Sequence, residues 1–347
     1  MQPLFANRFT KTHNNVKIIG MKHVLLIATG GTIASKPEEG FLTPKISPEE
    51  LLEYVPELKS ICKVSAIQPF FKDSTNMTYQ DWLEVSKIIK ENYDNYDGFV
   101  ITHGTDTMAY CSAALSYLIQ NNKKPVVITG SQQSIYLRDT DARANLLNAF
   151  IYASSDDACL THVVFDGKVI SGTRAKKTRT KSFNAFSSID YPEVAWIIGG
   201  KVKYFIKEKA SDPVFYDKIN TSVIAIKLIP GMSAEVLELL AGKYSAVVIE
   251  SFGVGGIPSD ENAAFEKALK KLKKGGTKII MTTQVTHEGS DMGVYKVGSI
   301  KHTLGLIEAR DMTVEAIIGK TVWALAESKT DKEFEKLFKK PVGMDRF

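Results

Sequence analysis

Short apolar runs recur along the chain at Val24–Ala28, Gly98–Ile101, Pro125–Ile128, His162–Phe165, Val223–Ile229, Ala246–Ile249 and Lys278–Met281. Runs this short, with no polar alternation, read as strands buried on both faces. Most are followed by Gly or Thr and then by a segment with helical periodicity, such as "MTYQDWLEVSKIIKENY" or "TDTMAYCSAALSYLIQNN". That alternation predicts a mainly parallel sheet with helices on both faces, a doubly wound α/β architecture.

At 347 residues the chain is long enough for about two domains. The strand–turn–helix rhythm fails over "KVKYFIKEKASDPVFYDKIN", a charged stretch that contains Pro213. The organisation expected is an N-terminal extension over 1–21, a larger doubly wound domain over 22–200 that carries the candidate catalytic loops, a linker over 201–221, and a smaller C-terminal α/β domain over 222–347. Met21 offers an alternative start for the chain.

A hydrophobic content of 44% with 24% charged residues is that of a soluble globular protein. The net charge of +5 is too mild to point to nucleic acid. Basic residues do cluster at Arg174, Lys176, Lys177, Arg179 and Lys181, and in the tail "EKLFKK", which reads as a solvated helix face. Cys62, Cys111 and Cys159 are far apart and odd in number, so they read as buried thiols of a reducing compartment. The first apolar run is too short to cross a bilayer, and no signal-peptide apolar region precedes it. A cytoplasmic protein without membrane or nucleic-acid partners is expected. The six histidines are scattered, with no H-E-x-x-H, so no metal or other cofactor is expected. Dinucleotide, P-loop and G-x-S-x-G motifs are absent.

In parallel sheets ligands bind at the carboxyl ends of the strands. The loops there are therefore the informative ones. "TGGT" at 29–32 reads either as an anion cradle or as a threonine hydroxyl held at a strand tip. "THGTDTM" at 102–108 places Thr105 and Asp106 at the start of a helix, where they either cap it or form part of a polar constellation. "KDSTNM" at 72–77 sets Asp73, Ser74 and Thr75 in a row, suited equally to gripping an amino acid's charged ends and to capping. "RAKKTRTK" follows a strand-like run of the same sheet. A lysine crowded there by other cations becomes a base, whereas the plainer reading is a solvated basic loop.

"ATGGTIAS" together with "THGTDTMAY" resembles the two signatures of bacterial-type L-asparaginases, and more narrowly the cytoplasmic type I branch. "PVVITGSQ", "NLLNA" and "DMTVEAIIGK" fit the same branch, and the likeness runs from about residue 22 to residue 327. The resemblance implies hydrolysis of L-asparagine to L-aspartate and ammonia through an acyl-threonine intermediate. It implies Thr32 as nucleophile, a triad of Thr105, Lys177 and Asp106, and substrate binding by Asp73, Ser74, Thr75, Thr105 and Asp106. It further implies glycines that make room for the substrate, main-chain oxyanion donors near Thr32 and Thr105, and a homodimer or homotetramer.

The chain departs from that pattern in three places. Phe41 in "EEGFLTPK" stands where the family has a tyrosine near the nucleophile. Gly256 in "SFGVGGIP" stands where relatives often carry an asparagine that reaches an adjoining site. Val285 in "TTQVTHEG", with Lys176, replaces a cysteine and a threonine at an allosteric asparagine pocket, so activation by asparagine is expected to be absent or altered. Two alternatives share the motifs: the amidase subunit of a tRNA-dependent amidotransferase, and a non-catalytic asparagine sensor. Such subunits carry an additional N-terminal domain, and the short stretch before the first strand here speaks against that reading.

Overall fold

The computed structural model describes residues 20–38, 41–259, 262–294 and 303–347. Residues 1–19 of the expected extension, with His13 in it, lie outside the described residues, as does His302.

The large sheet has eight strands. Five are parallel, in the order Lys63–Ile67, His23–Ala28, Gly98–Thr102, Val126–Thr129 and Thr161–Phe165. Three antiparallel strands extend it: Lys168–Ser171, Ala195–Ile198 and Lys201–Tyr204. Lys201–Tyr204 falls in the stretch read as a linker. Its lysines are exposed and Val202 and Tyr204 partly buried, which suits an edge strand that discourages further pairing. The preceding Gly199-Gly200 pair, with φ of 58° and 72°, supplies the tight two-residue turn.

Strand alternation divides the apolar side chains between two layers. Leu25 and Ile27 pack with Trp82, Val85 and Leu115 on one face, under the helices Tyr79–Asn92 and Met108–Leu118. Val24 and Leu26 pack with Leu146 and Phe150 of the helix Ala142–Ala153 on the other. The sheet is therefore covered on both sides, as its apolar strands require.

A smaller, wholly parallel sheet follows, in the order Val223–Lys227, Ala246–Ser251, Lys278–Thr283 and Ile307–Glu308. The helix Val314–Glu327 joins it to the first half by packing on Met108–Leu118. A Cβ at Gly319 would lie 3.1 Å from the Ala114 nitrogen, so the two helices cross closely. Trp323 stacks on Tyr117 beside that crossing, with ring centroids 6.0 Å apart. Val248 and Ile280 of the small sheet share one apolar cluster with Leu115 and Ile128 of the large half. The chain's last residues turn back onto the same core. Lys320 and Asp345, both fully buried, pair at 2.6 Å, and the Tyr117 hydroxyl donates to Asp345 at 2.9 Å. The fold is thus the α/β arrangement the apolar runs predict. Among the described residues no helix is long and apolar enough to cross a membrane.

Candidate active site

The carboxyl ends of the central parallel strands carry loops that lock into one another. Thr29 continues the first strand, its hydroxyl donating to the Thr102 carbonyl at 2.7 Å. Gly30 and Gly31 then take φ of 109° and 81°, a region that L side chains rarely adopt. A Cβ at Gly30 would lie 2.4 Å from the Lys72 carbonyl oxygen, and one at Gly31 would lie 2.3 Å from the Gly104 nitrogen. The glycines were expected to make room for substrate; the space they leave is taken by neighbouring main chain. Thr32 follows at the start of a single 3-10 turn, Thr32–Ala34, partly exposed. No described residue hydrogen-bonds its hydroxyl.

The second loop leaves Gly98–Thr102 and passes through His103, Gly104, Thr105 and Asp106. The helix itself starts at Met108 with Thr107 as its N-cap residue. Thr105 and Asp106 therefore do not cap it, and their side chains are available for other work. Lys177 Nζ donates to Thr105 Oγ1 and to Asp106 Oδ1, each at 2.7 Å. The Lys177 side chain is 16% exposed and that of Asp106 58%, so the pair is dry on one side and open on the other.

Lys177 does not come from the large sheet. It ends Ala175–Lys177, which pairs with Phe186–Ser188 in a separate two-stranded hairpin. Arg179 and Lys181, which follow it in the basic run, are exposed, as the plainer reading of a solvated loop has it, whereas the Lys177 side chain is only 16% exposed. Its partners are a carboxylate and a hydroxyl, because the hairpin turns the side chain towards the Thr105 loop. At the root of the hairpin, fully buried Arg174 pairs with Asp311 at 2.8 Å and donates to the Met344 carbonyl at 2.6 Å.

The Asp73–Thr75 loop is docked on the Thr105 loop. Asp73 Oδ1 accepts from the Thr75 N–H at 2.8 Å and from its hydroxyl at 2.7 Å. Ser74 is buried, and its carbonyl accepts from the Thr107 hydroxyl at 2.8 Å. Lys72 anchors the loop to Asp81 at 2.6 Å. Burial opposes ionisation of Asp81, but the Lys72 ammonium and the Thr78 N–H and hydroxyl outweigh it and hold its carboxyl below the ordinary value. Asp73 thus does cap a short turn, and the turn presents the loop beside Thr105.

Three further residues shape the site and were not singled out from sequence. Gln132, in the loop after Val126–Thr129, accepts from the Thr105 hydroxyl at 3.2 Å. Asp141 holds that loop by accepting from the Gln132 and Gln133 N–H groups at 2.9 and 3.0 Å; burial pushes its carboxyl up, although these bonds oppose the shift. His103 is fully buried, and burial lowers its pKa. Its Nδ1 lies 2.7 Å from the Gly104 carbonyl, which only accepts, so Nδ1 carries the proton and braces the turn. The signal for Gln132 was its position just beyond a strand; nothing local marks His103. Among the described residues no three His, Cys, Asp or Glu side chains gather into a metal-ligand set.

A hydroxyl held by an ammonium–carboxylate pair, beside a second hydroxyl on a strand tip, is suited to acyl transfer. The N–H groups of Thr32 and Thr105 donate to no described residue.

Residues 23–210 match the family model described as "Asparaginase, N-terminal", and residues 222–338 match "Glutaminase/Asparaginase C-terminal domain". The chain is similar to the L-asparaginase of Thermococcus kodakarensis, with 35% identity covering 92% of this chain and 98% of that one. The thermostable L-asparaginase structure from that organism superposes with a TM-score of 0.88, over 93% of this chain and 98% of the other at 34% identity. L-asparaginase 1 of Escherichia coli is 32% identical over 88% of this chain and 92% of its own. A glutamyl-tRNA(Gln) amidotransferase subunit of Pyrococcus abyssi is 33% identical over 90% of this chain and 75% of its own.

Proposed function

The chain belongs to the asparaginase family, and we propose that it hydrolyses the side-chain amide of L-asparagine to L-aspartate and ammonia. The observation that carries the catalytic assignment is the Lys177 nitrogen, 2.7 Å from both Thr105 Oγ1 and Asp106 Oδ1. In the proposed sequence the Thr32 hydroxyl attacks the amide carbonyl, the C–N bond breaks, and the hydroxyl proton leaves with ammonia. An acyl ester on Thr32 remains. Water then attacks that ester, Thr105 and Lys177 relaying its proton, and returns Thr32 as the free alcohol. Asp106 orients the ammonium and balances its charge. The main-chain N–H groups of Thr32 and Thr105 hold the oxyanion of each tetrahedral intermediate.

Asp73, Ser74, Thr75, Thr105 and Asp106 are assigned to the α-amino and α-carboxylate groups of the substrate. Asparagine and glutamine differ by one methylene, worth about 1–3 kcal/mol in a pocket, so slower glutamine hydrolysis accompanies this reading. A homodimer or homotetramer is assigned as well. It is supported by an exposed apolar group on the outer hairpin of the large sheet, where Trp196 and Phe205 pack at 5.4 Å beside Ile198. The compartment assigned is the cytoplasm, supported by unpaired, buried Cys62, Cys111 and Cys159.

The test is ammonia release from L-asparagine and L-glutamine by the purified protein and by Thr32→Ala and Thr105→Val. Release from asparagine that is lost in both variants supports the reading. Asparagine binding by calorimetry with no ammonia from the parent sinks it in favour of a sensor.

A further inference from the structure

We infer that Gln132 is a positioning residue that sets the direction of the Thr105 proton and couples it to the hairpin carrying Lys177; this rests on the hydrolytic reading above. The Thr105 hydroxyl has a single proton. Lys177 Nζ already donates into Thr105 Oγ1 at 2.7 Å, so that proton points elsewhere, and Gln132 Oε1 receives it at 3.2 Å. The orientation of the Gln132 amide follows from its other end. Its Nε2 lies 3.2 Å from the Ser182 carbonyl, and a carbonyl only accepts, so the amide nitrogen faces Ser182 and the oxygen faces Thr105. Ser182 lies in the loop between the two hairpin strands whose first strand ends in Lys177. The backbone of Gln132 is in turn fixed by the buried Asp141 carboxylate at 2.9 Å.

One amide therefore spans the two parts of the triad. With Lys177 as ammonium, the Thr105 proton rests on Gln132. In the relay proposed above, a neutral Lys177 draws the hydroxyl from Gln132, Thr105 hands its proton across the 2.7 Å gap as it takes the proton of the attacking water, and the proton returns by the same route to the Thr32 oxygen when the ester breaks. Gln132 holds the resting orientation without touching the scissile amide.

The experiment compares Gln132→Met, Gln132→Glu and Ser182→Ala with the parent in steady-state ammonia release from L-asparagine between about pH 5 and 8.5. Gln132→Met removes both contacts and is expected to lower kcat about tenfold with KM within about twofold. Ser182→Ala keeps the carbonyl and leaves kcat unchanged. Gln132→Glu carries the distinctive result. A neutral carboxylic acid donates to Ser182 and accepts from Thr105 as the amide does, whereas a carboxylate only accepts. The ratio of Gln132→Glu to parent kcat is expected to rise as pH falls through the carboxyl's titration, while the Gln132→Met ratio stays flat. A purely structural role would move thermal stability and leave both ratios flat. An active parent with kcat of Gln132→Met within about twofold of its own, or with a flat Gln132→Glu ratio, overturns the role of Gln132 alone. A parent that releases no ammonia overturns both readings.

Discussion

Gly31 and Gly104 meet main chain to main chain: a Cβ on Gly31 would lie 2.3 Å from the Gly104 nitrogen. The two loops that carry Thr32 and Thr105 are thereby held together without an intervening side chain. Gly31→Ala adds a methyl group at φ 81°, where L residues are strained, and drives it into backbone that cannot give way. We expect a loss of more than about 2 kcal/mol of stability and a matching loss of ammonia release, measured by urea unfolding and by steady-state kinetics. A Gly31→Ala protein as stable and active as the parent would remove this account of the loop pair.

Thr105, Lys177 and Asp106 are expected to differ in weight. Lys177→Met removes the only cation on the Thr105 hydroxyl among the described residues, and should lower kcat by about 10²–10⁴, the range of a general acid–base group. Asp106→Asn is expected to cost less, about tenfold, because that side chain is 58% exposed and water can replace part of its role. The ordering, read from kcat of the two variants, checks the assignment; a milder loss at Lys177 than at Asp106 contradicts it.

His103 predicts an acid limb in stability. Burial lowers its folded pKa below the ordinary value of 6.5. Below pH 6.5 the unfolded chain therefore binds a proton that the folded chain does not, and stability falls as pH falls, by up to about 1.4 kcal/mol per pH unit down to the folded pKa. His103→Asn keeps a donor for the Gly104 carbonyl and removes the titration. The difference in unfolding free energy between parent and variant should change with pH over that window and be constant above it.

Activation by asparagine is expected to be absent or altered, and kinetics can test it. Lys176, Glu250, Thr282 and Val285 border a cavity of only ≈ 20 Å³, room for about one water rather than for an amino acid. Initial rates should follow a hyperbola in asparagine concentration. Sigmoidal rates would show that this cavity opens or that another site binds the effector.

Lys320 and Asp345 fix the end of the chain on the shared core. Lys320→Met leaves a fully buried carboxylate without its cation and should destabilise by about 3–5 kcal/mol. Lys320→Met combined with Asp345→Asn should recover part of the loss, since no charge is then stranded. Chemical denaturation of the two variants and the parent gives the comparison.

The central parallel strands of each sheet were legible because burial on both faces demands unbroken apolar runs, and those stand in the sequence; the strand order and the edge strand Lys63–Ile67 were not. Thr32, Thr105 and Asp73–Thr75 were legible as candidates because such sheets expose the residues just beyond their strands. The outer hairpin ending at Tyr204 was harder to read, since an edge strand tolerates lysine on its open face.

What the sequence could not decide is distance. The basic run around Lys177 carries no mark of which lysine meets a carboxylate. That follows from a small hairpin whose root is tied by Arg174 to Asp311 and to the returning tail, contacts that span 137 and 170 residues. The role of Gly31 depends on Gly104, and that of Gln132 on Ser182, and no local pattern encodes such pairs. Apolar periodicity is a property of a segment and survives in one dimension. A hydrogen bond of 2.7 Å between loops, such as that from Lys177 to Thr105, arises only when the whole core has fixed where each strand ends.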